Sequence, residues 1–62
     1  MVVVYVNNRG WVMMYNVKTN AIKYTKHKAG AKPFESEHEK DLTELRIYIE
    51  RQLKCNYDIV RV

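Results

Sequence analysis

Two histidines, one cysteine and seven carboxylates are the side chains here with reactive chemistry to offer, and their spacing limits what they can do. His27 sits between Lys26 and Lys28. A general base needs a substrate and an orienting carboxylate within hydrogen-bond reach, and the nearest acid along the chain is Glu35. His27 therefore reads as a solvated residue of a basic run. Glu35 and His38 have the Glu-x-x-His spacing of di-iron bundles, but those centres take further carboxylates from other helices. This chain has the periodicity for one helix only. The acids Glu35, Glu37, Glu39 and Asp41 are better explained as complements to the positive end of that helix. Cys55 falls at the opposite end, where no free backbone N–H groups support an anionic sulfur nucleophile. No glycine-rich phosphate loop, CxxC pair or nucleophile elbow is present. The expectation is a protein that is not an enzyme, with no catalytic residue, no metal site and no cofactor.

Charge is segregated instead. Arg9, Lys18, Lys23, Lys26, Lys28 and Lys32 occupy the first 34 residues without a single acid, and all seven acids lie between Glu35 and Asp58. The same acid-free stretch holds Tyr5, Trp11, Tyr15 and Tyr24. A cationic, aromatic surface of this kind suits an anion or a partner. The net charge of +4 and a pI near 9.4 tilt the choice toward nucleic acid.

At 62 residues the chain is expected to form one small domain, residues 1–62. A core of that size is thin and is commonly reinforced by disulfides, a metal or an oligomer. A single cysteine rules out an internal disulfide and fits a reducing compartment, so the expected location is cytoplasmic. The apolar run from Met1 to Val6 is too short for a signal-peptide core, and nothing approaches a membrane span, so no membrane partner is expected.

The elements that must position these residues follow from pattern. Met1 to Val6 is β-branched and aromatic, Asn7-Asn8-Arg9-Gly10 supplies turn chemistry with Gly10 or Asn8 left-handed, and Trp11 to Val17 is again strand-like. Lys18-Thr19-Asn20 turns the chain into a third, more polar strand, Ala21 to Lys26, in which Ile22 and Tyr24 alternate with Lys23 and Thr25. His27 to Pro33 lacks periodicity and reads as a mobile basic loop. Ser36 and Glu39 have capping-box spacing. From there Leu42, Leu45, Ile49 and Leu53 form one apolar stripe, with Tyr48 on its edge and Ile47 outside it, which predicts a helix from about Glu37 to Lys54. Tyr57, Ile59, Val60 and Val62 read as a last strand after a break at Asn56.

The expected fold class is α+β, in the order β-β-β-α-β: an antiparallel three-stranded meander, one helix packed on one face, and a C-terminal strand. A right-handed crossover through the helix would place that strand parallel to the first, in sheet order 3-2-1-4. Exchange of the last strand between copies is the alternative.

Alternation makes a further demand. Val2, Val4 and Val6 on one side of the first strand, and Val3 and Tyr5 on the other, leave both faces apolar. Trp11, Met13, Tyr15 and Val17 alternate against Val12 and Met14 in the second. One helix about 10 Å wide cannot cover a four-stranded sheet about 19 Å across. A homo-oligomer, simplest as a dimer, is expected to bury the remainder through Val2, Val4, Val12, Met14 and Ile47.

Function is accordingly expected in binding. The leading expectation is DNA, RNA or another polyanion held on a basic edge formed by Arg9, Lys18, Lys23, Lys26, His27, Lys28 and Lys32, with the aromatic residues as stacking surfaces. The alternatives are a small interaction protein of the kind viruses and mobile elements encode, which binds and inhibits a host protein through adaptable Met13 and Met14, and an oligomer that holds an anionic nucleotide between protomers.

Overall fold

β-Branched and aromatic runs form the strands where the pattern places them. A computed structural model describes residues 1–62. Its elements are β1 (Val2–Val6), β2 (Gly10–Asn16), β3 (Ala21–Thr25), α1 (Lys40–Tyr48) and β4 (Tyr57–Arg61). They make one α+β layer pair, a sheet of order β3-β2-β1-β4 with a single helix on it. Asn8 and Asn20 turn the two hairpins at φ 68° and 59°, which asparagine tolerates better than most residues. Gly10 follows at φ 117°, and a Cβ there would stand 2.9 Å from the Thr25 carbonyl oxygen.

All strand pairs are antiparallel, including β1 with β4, so the expected parallel pairing is wrong although the order is right. The reason lies between β3 and α1. The β1–β2 hairpin is zipped only near its turn, at Tyr5↔Trp11 and Val6↔Gly10. Continued, that register would join Val4 to Val12 and Val2 to Met14. Instead the Val12 carbonyl accepts the Lys32 N–H at 2.8 Å, and Val2 and Phe34 exchange backbone hydrogen bonds of 2.8 and 2.9 Å. The chain after β3 thus runs down through the open fork of the hairpin as a short antiparallel insert. That descent uses one traverse of the molecule, so α1 climbs and β4 descends. The basic loop is correspondingly packed: Lys28–Gly30 forms a 3-10 turn, Ala31 is buried, and the stretch is not a free tether.

The fork is accompanied by a bulge. The β2–β3 register slips between Val12 and Met14, which makes Met13 the extra residue. An extra residue inverts the alternation beyond it. Val12, Tyr15 and Val17 therefore all join the helix-side core, while Met14 turns to the opposite face, contrary to the simple alternation. That core comprises Val2, Val4, Val6, Val12, Tyr15, Phe34, Leu42, Leu45 and Ile49. Burying Phe34, Leu42, Leu45 and Ile49 completely contributes roughly 1.5–3 kcal/mol each.

The helix is shorter at its start than its pattern. Ser36 Oγ accepts the His38 N–H at 3.2 Å and the Glu39 carboxylate accepts the Glu35 N–H at 3.0 Å. The capping-box residues thus close their own turn, Glu39 stays extended at ψ 139°, and Lys40 is the first helical residue. At the other end Ile49–Leu53 widens into a π-type turn, with the Lys54 N–H donating to the Ile49 carbonyl, and Lys54 itself is left-handed at φ 54°. The apolar stripe is as expected, and Ile47 is exposed. Arg46 Nε donates to Tyr57 Oη at 3.1 Å and Tyr57 Oη donates to Glu50 at 2.5 Å, which fixes the helix over β4. β4 lies beside its own β1 across a short connection, so no strand exchange is needed to complete the sheet.

Candidate nucleic-acid interface

The sheet has two unlike faces, and the residues with binding chemistry divide between them. On the helix side, odd residues of β4 and even residues of β1 fill the core. On the other side the register brings together Tyr5, Trp11, Met14, Lys23, Thr25, Asp58 and Val60. No helix covers this face. The 3-10 turn and the insert shelter its lower part, leaving Val3 only 3% exposed. Tyr5 and Trp11 remain half-exposed, with ring centroids 5.1 Å apart in an edge-to-face arrangement. Such a pair is favourable in itself and rigid in consequence.

Cations border this pair on one side. Lys23 projects from β3 on the same face, opposite Met14, and Lys26 and His27 follow at the strand's end, all exposed. The His27 N–H donates to Thr25 Oγ1 at 3.2 Å, which ties the loop to the strand. Lys28 places its ammonium 6.0 Å from the Trp11 ring centroid, at the outer reach of a cation–π contact. Gly30 lies against the Thr25 side chain, where a Cβ would come to 3.4 Å. On the other side of the aromatic pair stands Asp58, opposite Tyr5 in the register. The face therefore runs from positive at β3 to negative at β4.

The expected basic edge does not form a single continuous surface. Lys23, Lys26, His27 and Lys28 gather around the end of β3. Lys18 lies in the β2–β3 turn, at the opposite end of that strand. Lys32 holds its ammonium 5.5 Å over the Phe34 ring and belongs to the insert. Arg9 points to the helix side, beside Tyr24 and Leu53. There its guanidinium is raised above its ordinary pKa by hydrogen bonding to Cys55, with Tyr24 adding to the effect. Burial raises the Tyr15 and Tyr24 phenols, the Arg9 charge opposing the shift at Tyr24. Tyr15 Oη donates to Asn20 Oδ1 at 2.8 Å and braces the β2–β3 turn.

The expected oligomer interface changes more. Val2, Val4 and Val12 are 4%, 0% and 0% exposed inside this chain's own core, so they have no surface to offer a partner. Met14 and Ile47 remain, on opposite sides of the molecule. Simple alternation misleads here because it gives the helix one face and leaves the other bare. The bulge and the threaded insert redistribute both.

Tyr5 paired with Trp11, and Asp58 facing Tyr5, escape sequence reasoning, since they depend on the registers of three strands. The signal available was the alternation of Tyr5 against Val4 and Val6, which already put Tyr5 off the valine face. No cluster of three or more His, Cys, Asp or Glu residues is placed to hold a metal ion. No helix is long and apolar enough to cross a membrane. Comparison with family models, curated proteins and solved structures finds no match to this chain.

Proposed function

We propose that this is a non-enzymatic, self-associating protein that binds single-stranded nucleic acid on the open face of its sheet. The bases rest on Tyr5 and Trp11, and the phosphates follow Lys23, Lys26 and Lys28. The observation that carries this reading is the half-exposed aromatic pair flanked by lysines on the one face the helix leaves bare. Aromatic stacking accepts any base that has a free face, which a duplex does not provide. Lysines supply the sequence-independent attraction to phosphate. Asp58 repels phosphate from the β4 side and so orients the strand's backbone toward β3.

Trp11 is the only tryptophan, so its emission reports the event directly. Titration with a single-stranded oligonucleotide of roughly ten nucleotides, at about 50 mM salt, is expected to quench it. Trp11→Ala is expected to weaken binding by roughly 5- to 150-fold, the equivalent of about 1–3 kcal/mol of stacking, read by anisotropy of the labelled strand. Trp11→Phe should retain most of the affinity. Absence of both quenching and anisotropy change at low salt would end the proposal.

A further inference from the structure

The two free edges of the sheet are not equivalent. β3 carries Lys23 in its middle and pairs through a bulge, both of which discourage further pairing. β4 has neither protection. Its sequence is Tyr-Asp-Ile-Val-Arg, without lysine, proline or glycine, and its register with β1 runs unbroken from Val6↔Tyr57 to Val2↔Arg61.

Backbone bonding at the ends of that ladder shows which groups point away. The Val62 N–H donates to the Met1 carbonyl at 3.0 Å and the Asn7 N–H donates to the Asn56 carbonyl at 2.8 Å. Residues 56 and 62 thus face β1, and with no bulge between them so do 58 and 60. The N–H and C=O groups of Tyr57, Ile59 and Arg61 therefore point outward, where no strand of this chain meets them. Three alternate residues form a self-complementary set. Laid antiparallel about a twofold axis at Ile59, Ile59 meets its own copy and Tyr57 meets the second copy's Arg61 twice over.

The side chains agree with that register. On the helix side, Arg61 of each copy comes opposite a tyrosine whose hydroxyl is bonded to both Arg46 and Glu50, so the Glu50 carboxylate stands between a guanidinium of its own chain and one of the second copy. Ile59, partly exposed at the edge of one chain, gains its own copy as an apolar neighbour across the seam, while Val60 comes opposite the second copy's Asp58 on the other face.

We propose that β4 is a homodimerisation edge, two copies pairing through Tyr57, Ile59 and Arg61 into one eight-stranded sheet of order 3-2-1-4-4-1-2-3. The pairing rests on the self-association already proposed for this chain and moves it from the valine face to the β4 edge. A twofold axis normal to the sheet keeps like faces on the same side. Both Tyr5–Trp11 pairs then lie on one surface, with a basic rim at each outer end.

Sedimentation over a wide protein concentration range tests this without any nucleic acid. The wild type is expected to rise from 7.4 kDa toward twice that mass. Two variants should hold it at the monomer mass. Ile59→Lys sets like charges against each other on the axis. Arg61→Pro removes an outward N–H that makes no bond within the chain, so the fold survives it. Circular dichroism confirms that each variant is folded; if Ile59→Lys is not, Arg61→Pro decides. A dimer that persists in the folded variants overturns the β4 edge and spares self-association. A wild type that stays at monomer mass at every concentration overturns both.

Discussion

The cations assigned to phosphate can be counted by their effect on salt dependence. Lys23, Lys26 and Lys28 are the lysines around the end of β3 beside the open face, whereas Arg9 lies on the helix side and Lys18 at the far turn. Each phosphate neutralised on a single strand contributes about 0.7 to the slope of log affinity against log salt, so three contacts give a slope near −2.1 and a roughly 20-fold loss between about 50 and 200 mM. Lys28→Gln should lower the slope by about 0.7, leaving a loss of roughly 7-fold over the same range. Lys23→Gln combined with Lys28→Gln should leave roughly 3-fold. Arg9→Gln should leave the slope where it was. The assay is anisotropy of one labelled oligonucleotide, repeated at several salt concentrations for each variant. A slope that falls as much for Arg9→Gln or Lys18→Gln as for Lys28→Gln would mean that no particular face is used, and the reasoning from the aromatic pair would collapse with it.

The fold itself sets three further outcomes. Gly10→Ala should destabilise the protein by about 1–3 kcal/mol in urea unfolding, since it sets a Cβ at positive φ against the Thr25 carbonyl; an unchanged midpoint would show that the hairpin relaxes there. Deleting Met13 removes only the residue without a partner and leaves Val12, Tyr15 and Val17 in plain alternation on the core face, so the shortened chain should fold, and Met13→Ala, at a side chain 43% exposed, should cost little; loss of the folded circular dichroism signal on deletion would refute the assignment of Met13 as the bulge's extra residue. Burial raises the Tyr15 and Tyr24 phenols above their ordinary value of 10, so the folded state holds those protons longer than the unfolded chain does. Their contribution is complete below pH 10 and lost as pH rises through the raised values. Unfolding free energy should therefore fall on the alkaline side, and a flat profile from neutral pH upward would contradict the burial.

Local structure was legible in the sequence wherever a short-range rule governs it. Asn8, Gly10 and Asn20 mark turns because few residues accept positive φ. The stripe of Leu42, Leu45, Ile49 and Leu53 gave the buried side of the helix, because side chains three and four apart share a face. What could not be read was register. Met13 carries no mark of being the extra residue of a bulge, and Lys32, Pro33 and Phe34 carry none of being an insert in a hairpin. Both depend on hydrogen bonds between segments distant in sequence, Lys32 to Val12 and Phe34 to Val2. The errors in strand direction and in the face of Tyr15 descend from those two facts; the interface valines were misplaced because alternation does not say which face the helix covers, and α1 packs on the valine face. The same holds for the site: the lysines were visible as a set, but their division between two faces was not.

The half-open hairpin also explains why an aromatic pair keeps part of its surface exposed. Were β1 and β2 zipped along their whole length, the chain after β3 would have to pass outside the sheet, and Phe34 could not reach the core where it is now wholly buried. Keeping Phe34 inside requires the fork. The fork admits the insert to the lower part of the bare face, where it covers Val3, and stops it from covering the upper part, where Tyr5 and Trp11 are still joined by direct strand pairing. The open platform therefore lies where the hairpin is closed, next to the rigid turn of Asn8 and Gly10. A loop that simply flapped over the face would hide these rings; one pinned at Val12 and Val2 cannot. The same geometry that secures the core thus holds the lysines of the loop at the platform, Lys28 reaching over the Trp11 ring, and leaves both rings partly exposed.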